Sequence, residues 1–229
     1  MAEISTIEIQ VISQEYVTAI KNNKSKAYFF FKRLFAIVTS LLAIIILSPV
    51  LLITAFAVWI SSKGPAIYKD LRIGKGGKHI NVYKFRSMVI DADNLDKYLN
   101  DEQKEQWIKE RKIKNDPRIT KVGRFIRKTA IDELPQLFNI LKGDIAIVGT
   151  RPITTKEFAN YSKEEIQLLT STRPGLTGYW QVYKQGKTAY QSGDRQKMDR
   201  EYFERRSLLF DLKLIFLTIP ALIKRGGAE

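Results

Sequence analysis

The stretch LFAIVTSLLAIIILSPVLLITAFAVWI, residues 34–60, runs for 27 residues without a charged side chain. About 18 consecutive apolar residues already make a membrane helix the default interpretation. A buried helix of this length would need a much larger soluble protein around it. A cleaved signal peptide is also disfavoured, because the apolar run is too long and no small-residue cleavage site follows it. We therefore expect this segment to be embedded in a membrane.

Pro49 lies near the middle of this apolar segment, directly after Ser48. A straight helix of this length would extend about 40 Å, which exceeds the hydrocarbon core of about 30 Å. Proline removes one backbone donor and clashes with the preceding turn, so we expect a kink at Pro49. We expect the Ser48 hydroxyl to donate to a carbonyl that the kink frees.

Both flanks of the apolar segment are basic. The chain carries 38 Lys and Arg against 24 Asp and Glu, a formal charge of +14. Lys32 and Arg33 stand at the first edge of the segment, and the chain after it holds most of the excess positive charge. Because Lys and Arg prefer the cytoplasmic side, a re-entrant helix that turns at Ser48-Pro49 and leaves by the same face satisfies both flanks. A single kinked crossing is the alternative.

The composition narrows the chemistry that the chain can perform. A hydrophobic content of 45% excludes a disordered polyelectrolyte. With no cysteine and a single histidine, His79, the sequence excludes disulfide scaffolds, thiol nucleophiles and multi-histidine metal sites. The positive charge predicts an anionic partner, which is a nucleic acid, a phosphorylated small molecule or an anionic membrane surface.

Short elements are predicted after the apolar segment. Two strand-like runs, 66–68 and 80–85, flank the glycine-rich turn 74–77, which predicts a hairpin. Residues 91–114 have a charged helical pattern, and a basic face recurs over 119–126.

The two ends of the chain are harder to interpret. Near the end, residues 208–223 are apolar but include Asp211 and Lys213, so they suit either an interfacial helix or a helix on the domain's own core. At the start, Ile4, Ile7, Ile9 and Val11 alternate in an arm, residues 1–31, whose role the sequence does not reveal.

The run RFIRKTAIDELPQLFNILKGDIAIVGTRP, residues 124–152, concentrates the candidate chemistry. Because proline is tolerated only where its missing N–H would be unpaired, Pro135 predicts a helix that begins close to Asp132. Gly143 is a good residue to end that helix. Asp132 and Glu133 would then lie at the positive end of the helix dipole, close to Arg127.

Two adjacent ionised carboxylates have two interpretations. Asp132 and Glu133 could together bind Mg²⁺, and one of them could act as a nucleophile. Alternatively, Asp132 caps the helix and Glu133 pairs with a nearby cation. Arg151 follows a strand-like run, 145–148, where its guanidinium suits a phosphate, although a surface arginine is the alternative. Together these residues suit phosphate chemistry at a bilayer.

An ordered set of short motifs runs through about residues 32–225. The motifs are Lys32-Arg33, Ser48-Pro49, Tyr83-Lys84-Phe85-Arg86-Ser87-Met88, Asn115-Asp116-Pro117-Arg118-Ile119-Thr120-Lys121-Val122-Gly123, Asp132-Glu133-Leu134-Pro135-Gln136-Leu137, Leu141-Lys142-Gly143-Asp144, Arg151-Pro152, Arg173-Pro174-Gly175-Leu176-Thr177-Gly178 and Asp211-Leu212-Lys213. In this ordered set, the chain resembles the bacterial sugar transferases, which are monotopic phosphoglycosyl transferases acting on polyprenyl phosphate.

The resemblance implies a two-step reaction. Asp132 attacks the β-phosphate of a UDP-sugar, UMP leaves, and polyprenyl (undecaprenyl) phosphate takes the phosphosugar from the aspartate. Glu133 completes the catalytic dyad. Asp132 and Glu133 hold Mg²⁺, which screens the charge of the phosphates, and Arg127, Arg151 and Pro152 bind phosphate groups. Initiation of bacterial polysaccharide or glycoconjugate assembly is the implied role.

The resemblance also implies a fold class and a location. The expected fold class is α/β, mostly α with a small β component, and it has three parts. These are an N-terminal arm (1–31), a re-entrant membrane helix (32–62) and a catalytic domain (63–229) with interfacial helices and a short β-hairpin. In the membrane helix, Ser48 and Pro49 would form the kink, and Lys32 and Arg33 would anchor it. Both termini are expected on the cytoplasmic face of a bacterial inner membrane, in contact with membrane lipids. Nucleic acid is not expected as a partner, and a homodimer is left open.

The sequence departs from the family pattern in two places. Thr150-Arg151-Pro152 stands where the family usually has Pro-Arg-Pro, and the loop after Val182 lacks the usual Gly-Arg pair. Gln181, Asp199 and Tyr202 are carried over as substrate-loop residues. The altered loop keeps open an inactive or regulatory relative, which would bind anionic lipid or nucleotide-sugar without turnover.

Overall fold

The computed structural model describes residues 14–21, 23–110, 113, 115–183 and 193–225. Most of these residues are helical, as the sequence predicts. The helices are α1 Gln14–Lys21, α2 Lys26–Ser62, α3 Leu95–Tyr98, α4 Asp101–Glu110, α5 Lys121–Lys128, α6 Gln136–Lys142, α7 Lys163–Thr170, α8 Tyr179–Tyr183, α9 Asp194–Arg205 and α10 Leu208–Arg225. The strands are β1 Ile67–Ile73, β2 His79–Phe85, β3 Ala146–Val148 and β4 Gly175–Thr177.

The apolar segment lies inside the 37-residue helix α2. Ser25 caps its first turn by accepting a hydrogen bond from the Tyr28 amide, and it ends before Lys63, whose φ is 34°. By length and composition, α2 is the one helix in the described part of the chain that could cross a membrane. Only 11% of its most apolar 18-residue stretch is buried, so the domain does not cover this surface and an outside apolar environment is needed to bury it.

Both halves of α2 pack against the same domain. Ala36 belongs to a buried cluster with Val82 of β2, whereas Val58 belongs to a second cluster with Phe85 of the same strand. Pro49 lies between these two contacts, within the helix. The Ser48 hydroxyl donates to the carbonyl of Ile45 at 2.8 Å, which confirms the expected serine–carbonyl bond beside the proline.

The glycine-rich turn forms the predicted hairpin. Strands β1 and β2 pair antiparallel from Ile67↔Phe85 to Ile73↔His79. The basic pattern after residue 119 forms α5, whereas the charged pattern of residues 91–114 forms two helices, α3 and α4, rather than one. Leu99 separates them in extended backbone, which cannot continue a helix.

The main core lies between α1, α7, α9 and the first turns of α10. Val17 and Ile20 of α1 pack there with Leu168, Phe203 and Leu214. The described part of the N-terminal arm is therefore a structural part of the domain, because two of its apolar side chains are buried in the core. The alternating residues Ile4 to Val11 lie outside the described residues.

The strand-like run 145–148 forms β3, as predicted. It pairs in parallel with β4, which the sequence did not suggest, with Ala146 opposite Gly175. Glycine is required where this pair is tightest. A Cβ on Gly178 would lie 2.0 Å from the carbonyl oxygen of Gly149, so a side chain there would force the two backbones apart. This close approach gives a physical reason for the glycines of Arg173-Pro174-Gly175-Leu176-Thr177-Gly178.

Helix α10 combines the two interpretations that its sequence left open. Asp211, Leu214 and Ala221 are buried on the domain. On the other side, Leu209 and Phe216 are 81% and 69% exposed, which leaves an apolar surface uncovered.

The two leucines of α10 provide a matched test of this division. Leu214 is fully buried and Leu209 is 81% exposed, so Leu214→Ala should lower the free energy of unfolding by about 2–5 kcal/mol. Leu209→Ala should change it by less than about 0.5 kcal/mol. Urea unfolding of the detergent-solubilised chain, followed by tryptophan fluorescence, measures both. Equal losses for the two variants would contradict the packing of α10.

Candidate active site

Asp132 and Glu133 lie on a short 3-10 turn, Ile131–Glu133, just before α6. The α-helix itself begins at Gln136, with Pro135 as its N-cap and no side-chain capping bond. The expectation that the helix begins close to Asp132 was therefore wrong by four residues, and Asp132 is not its cap. Pro135 can start the helix itself, which leaves the carboxylates on the turn. The predicted end at Gly143 is confirmed by its φ of 93°.

Asn139 fixes this carboxylate-bearing segment to the hairpin. Its buried amide donates to the carbonyl of Asn81 at 2.7 Å and accepts from the Tyr83 amide at 2.8 Å. The same nitrogen donates to Asp144 at 3.1 Å. A buried amide with its hydrogen bonds satisfied allows one arrangement of helix and strand, so α6 and the turn before it are held in register with β2.

Arg127 is placed by the last turn of α5. Its Nε donates to the hydroxyl of Ser87 at 2.7 Å. Helix α5 approaches Ser87 closely because Gly123 faces it: a Cβ on Gly123 would lie 1.8 Å from the Ser87 carbonyl oxygen. Burial raises the pKa of Asp116, but hydrogen bonds from Arg118 and the charges of Arg118 and Arg127 hold it below its ordinary value overall. The Asn115–Gly123 motif thus provides the frame for Arg127.

Arg151 and Pro152 follow β3 in a loop whose carbonyls are held by two arginines. Arg195 donates to the Arg151 carbonyl at 3.3 Å, and Arg72 donates to the Pro152 carbonyl at 3.2 Å. Both arginines also pair with Glu157, at 2.9 and 3.4 Å. Sequence reasoning missed Arg72, Arg195 and Glu157, because these residues are distant in the chain and meet only in the fold.

Arg151 lies near two cations and two anions. Burial lowers the pKa of its guanidinium, and so do the charges of Arg195 and Arg72, whereas Glu133 and Glu157 oppose the shift. The pKa lies below its ordinary value, although arginine remains protonated in proteins. The interaction with Glu133 brings together two residues that the sequence singled out. The guanidinium of Arg151 suits an anionic ligand such as a phosphate group.

The three substrate-loop candidates lie in different surroundings. Gln181 is on α8, and its Oε1 is buried without a hydrogen-bond partner. Asp199 is buried on α9, 3.8 Å from Arg195 and 3.4 Å from the Tyr161 hydroxyl. Residues 184–192 of the altered loop lie outside the described residues.

Tyr202 and Lys32 meet in a buried polar cluster. The Lys32 ammonium donates to the Tyr202 hydroxyl at 2.8 Å and pairs with Asp211 at 2.8 Å. The hydroxyls of Tyr28 and Tyr202 both donate to Asp211, at 2.8 and 2.9 Å. Next to Lys32, Arg33 donates to the carbonyls of Ile140 and Leu141 at the end of α6. The two cations that the sequence placed at the membrane edge therefore also tie α2 to the domain.

The carboxylates are compatible with a divalent cation. Asp132 and Glu133 are both half-buried and adjacent. Among the described residues, no group of three or more His, Cys, Asp or Glu side chains could hold a metal ion. Mg²⁺ is commonly held by one or two carboxylates with water and substrate phosphates completing its shell, so this donor set fits only that mode of binding.

These features define a class of protein: a basic domain, joined to one long apolar helix, in which paired carboxylates lie near arginine side chains. The chain belongs to the bacterial sugar transferase family, whose model matches residues 27–225.

Named relatives support this assignment. The chain is 43% identical over 213 residues to undecaprenyl-phosphate galactose phosphotransferase of Salmonella typhimurium, covering 91% of this chain and 44% of the relative. It is 38% identical over 200 residues to exopolysaccharide production protein ExoY of Rhizobium meliloti, covering 86% of this chain and 87% of the relative. A UDP-glucose:undecaprenyl-phosphate glucose-1-phosphate transferase of Escherichia coli is 38% identical over 193 residues, covering 82% of this chain and 39% of the relative. The chain thus spans less than half the length of two of these relatives.

Asp199 should make its contribution to the free energy of unfolding fall as the pH rises. Burial raises its pKa from 3.8 to about 7, despite the opposing charge of Arg195. The folded chain therefore keeps a proton that the unfolded chain releases, so this group's contribution to the free energy of unfolding falls as pH rises from about 4 to about 7, by at most about 4 kcal/mol.

Comparison with Asp199→Asn isolates this contribution, because asparagine does not titrate. The stability of the variant relative to the unchanged chain should improve from pH 4 to 7 and level off above about pH 7. Urea unfolding over this pH range measures the difference. Asp101→Asn is the control, because the Asp101 side chain is 99% exposed, and it should show no such trend. A flat difference for Asp199→Asn would disprove the raised pKa.

Proposed function

We propose that the chain transfers a sugar-1-phosphate from a UDP-sugar to polyprenyl (undecaprenyl) phosphate and releases UMP. The observation that carries this proposal is the placement of Asp132 and Glu133 on one turn, with Glu133 near enough to Arg151 to act on its charge, in a chain of the bacterial sugar transferase family. The names of the Salmonella and Escherichia relatives specify undecaprenyl phosphate as their substrate. The product would initiate a bacterial polysaccharide or glycoconjugate.

In the first step, a carboxylate oxygen of Asp132 attacks the β-phosphorus of the UDP-sugar. The bond from that phosphorus to the bridging oxygen breaks, and UMP leaves with the oxygen and its electron pair. A phosphosugar-aspartyl intermediate remains. An aspartate needs no base to become an anion. Arg127 and Arg151 offset the phosphate charge in the transition state. Ser87 holds the Arg127 side chain, whereas Arg72 and Arg195 hold the backbone of the loop that carries Arg151.

In the second step, an oxygen of the polyprenyl phosphate attacks the same phosphorus. The phosphorus–oxygen bond to Asp132 breaks, which restores the free carboxylate and forms polyprenyl-diphospho-sugar. In this proposal Asp199 acts through Arg195, which it contacts. Tyr202 acts through Lys32, which donates to its hydroxyl. Gln181 offers its buried Oε1 as a hydrogen-bond acceptor near Gly149, two residues before Arg151.

Mg²⁺ is the cofactor that we propose for this site. Asp132 and Glu133 would hold it, and it would screen the negative charge of the substrate diphosphate. The role of Glu133 is then to keep the site anionic beside the nucleophile, while Arg151 balances the charge from the other side.

We also propose that α2 is re-entrant, with both of its ends on the cytoplasmic face of a bacterial inner membrane. Its two halves pack near Val82 and Phe85, which lie about 10 Å apart on one strand. A straight helix from Ala36 to Val58 would cover about 33 Å. A bend at Pro49 would shorten the distance between Ala36 and Val58, so that both residues can contact the same strand. The exposed apolar face of α10 would then lie in the headgroup region.

Replacing the nucleophile tests the reaction. Asp132→Asn should reduce UMP release from UDP-sugars, Mg²⁺ and undecaprenyl phosphate to background, because an amide cannot form the acyl phosphate. Coupled detection of UMP across a panel of UDP-sugars measures the rate and identifies the sugar. Asp101→Asn, which removes an exposed carboxylate, should keep full activity. Persistent UMP release by Asp132→Asn would show that Asp132 is not the nucleophile.

Protease protection tests the topology. Tags fused at Met1 and at Glu229 should both resist external protease in intact spheroplasts and both be cleaved after lysis, since a re-entrant helix leaves both flanks inside. In Pro49→Leu the helix loses the residue that favours its bend, so a fraction of the chains should expose one tag. Cleavage of a single tag in the unchanged chain would establish a crossing helix instead.

A further inference from the structure

A cavity of about 240 Å³ lies at the start of α2, between the end of α1, the tip of the hairpin and the loop after α7. Six cationic residues line it: Lys21, Lys32, Arg33, Lys75, Arg173 and Arg206. No Asp or Glu contributes to this lining in the part of the chain that the structure describes. Arg127, Asp132, Glu133 and Arg151 do not line it either, so it is distinct from the candidate active site.

Two guanidinium groups converge on one side of this cavity. A Cβ built on Gly143 would lie 3.2 Å from Arg33 Nη2 and 3.8 Å from Arg173 Nε. Arg173 donates to the Gly143 carbonyl at 2.6 Å, and Arg33 donates to carbonyls of α6. Within the described chain, no carboxylate pairs with either arginine. The carbonyls at the end of α6 offset part of this positive charge, and an anion between the two guanidinium groups would offset more of it.

Of the other four cations that line the cavity, two have partners and two do not. Lys32 is neutralised by Asp211, and the buried Arg206 is satisfied by carbonyls of Ile20 and Lys21 and by Asn23. Lys21 and Lys75 are exposed at the rim of the cavity, and no ion pair involves them among the described residues. Among the described residues, the cavity therefore keeps four cations without an anionic partner: Arg33 and Arg173, which donate to backbone carbonyls, and Lys21 and Lys75 at its mouth.

The size and the wall of the cavity limit its ligand. Its volume is below the range of about 300–1,000 Å³ that holds drug-sized ligands, which is too small for a whole nucleotide-sugar. Phe29, Ala36 and Val148 contribute an apolar wall, and Phe29 lies one turn before the uncharged segment of α2. A phosphate group fits the donors, because guanidinium groups bind phosphate oxygens with bidentate geometry.

We propose that this cavity is a second anion site, which binds the phosphate group of a small ligand through Arg33, Arg173, Lys75 and Lys21. The phosphate comes either from an anionic lipid headgroup or from free phosphate. Its position at the start of the apolar helix suits the headgroup level of a membrane, and the experiment separates the two sources.

Titration of the full chain in neutral detergent tests the site. The probes are inorganic phosphate, short-chain phosphatidylglycerol and short-chain phosphatidylcholine, with calorimetric detection at constant ionic strength. Lys75→Gln/Arg173→Gln should weaken binding of phosphate or phosphatidylglycerol by about tenfold or more, because it removes two charge-assisted contacts. Both residues are exposed, so folding should be preserved. Lys75→Gln alone should show a smaller loss.

Two control variants make the outcome specific. Lys78→Gln removes the same charge from the same hairpin turn but lies outside the cavity lining, so it should bind as the unchanged chain does. Arg127→Gln removes a cation from the candidate active site and should also keep this binding. Phosphatidylglycerol binding that depends on Lys75 and Arg173 identifies a lipid source, and phosphate binding with that dependence identifies a free anion. No binding of either probe, or equal weakening by Lys78→Gln, would overturn the proposal.

Discussion

The ion pair between Lys32 and Asp211 joins the apolar helix to the rest of the molecule. Burying two charges costs several kcal/mol for each ion, which is recovered only when geometry is good and the remaining hydrogen-bonding capacity is satisfied. Here the hydroxyls of Tyr28 and Tyr202 complete the shell of Asp211. One cluster thereby connects α2, α9 and α10. The apolar helix cannot turn about its axis without leaving a buried charge unpaired, so its exposed face has a fixed direction relative to the candidate active site.

The site is assembled from turns and loops that rigid elements hold from behind. Asp132 and Glu133 precede a helix that Asn139 bonds to the hairpin. Arg127 ends a helix that a glycine allows to contact Ser87. Arg151 follows a strand, and two arginines sharing Glu157 hold its loop. This construction places opposite charges near one another on segments that hydrogen bonds and ion pairs hold in place, which suits electrostatic stabilisation of a phosphate-transfer transition state.

The sequence predicted local features well and long-range ones poorly. The apolar helix, the hairpin turn, the basic helix and the end of α6 at Gly143 follow from patterns within a few residues. The start of α6 was misplaced, because Pro135 is acceptable both in the first turn of a helix and at its N-cap. The i,i+4 spacing of Arg195 and Asp199 was a readable sign of an ion pair. No such sign existed for Arg72 and Glu157, which are far apart in the chain.

By itself, the sequence determined that a long uncharged segment is attached to a basic domain, and it predicted that paired carboxylates with nearby arginines carry its chemistry. Those conclusions depend on composition and short-range spacing, which remain the same in any fold. Only the tertiary structure decided which arginines hold the Arg151 loop, that Lys32 faces Asp211, and that Arg33 and Arg173 converge at Gly143. These contacts join residues that are 44 to 179 positions apart in the chain. Their pairing depends on how the helices and strands pack, which no local pattern encodes.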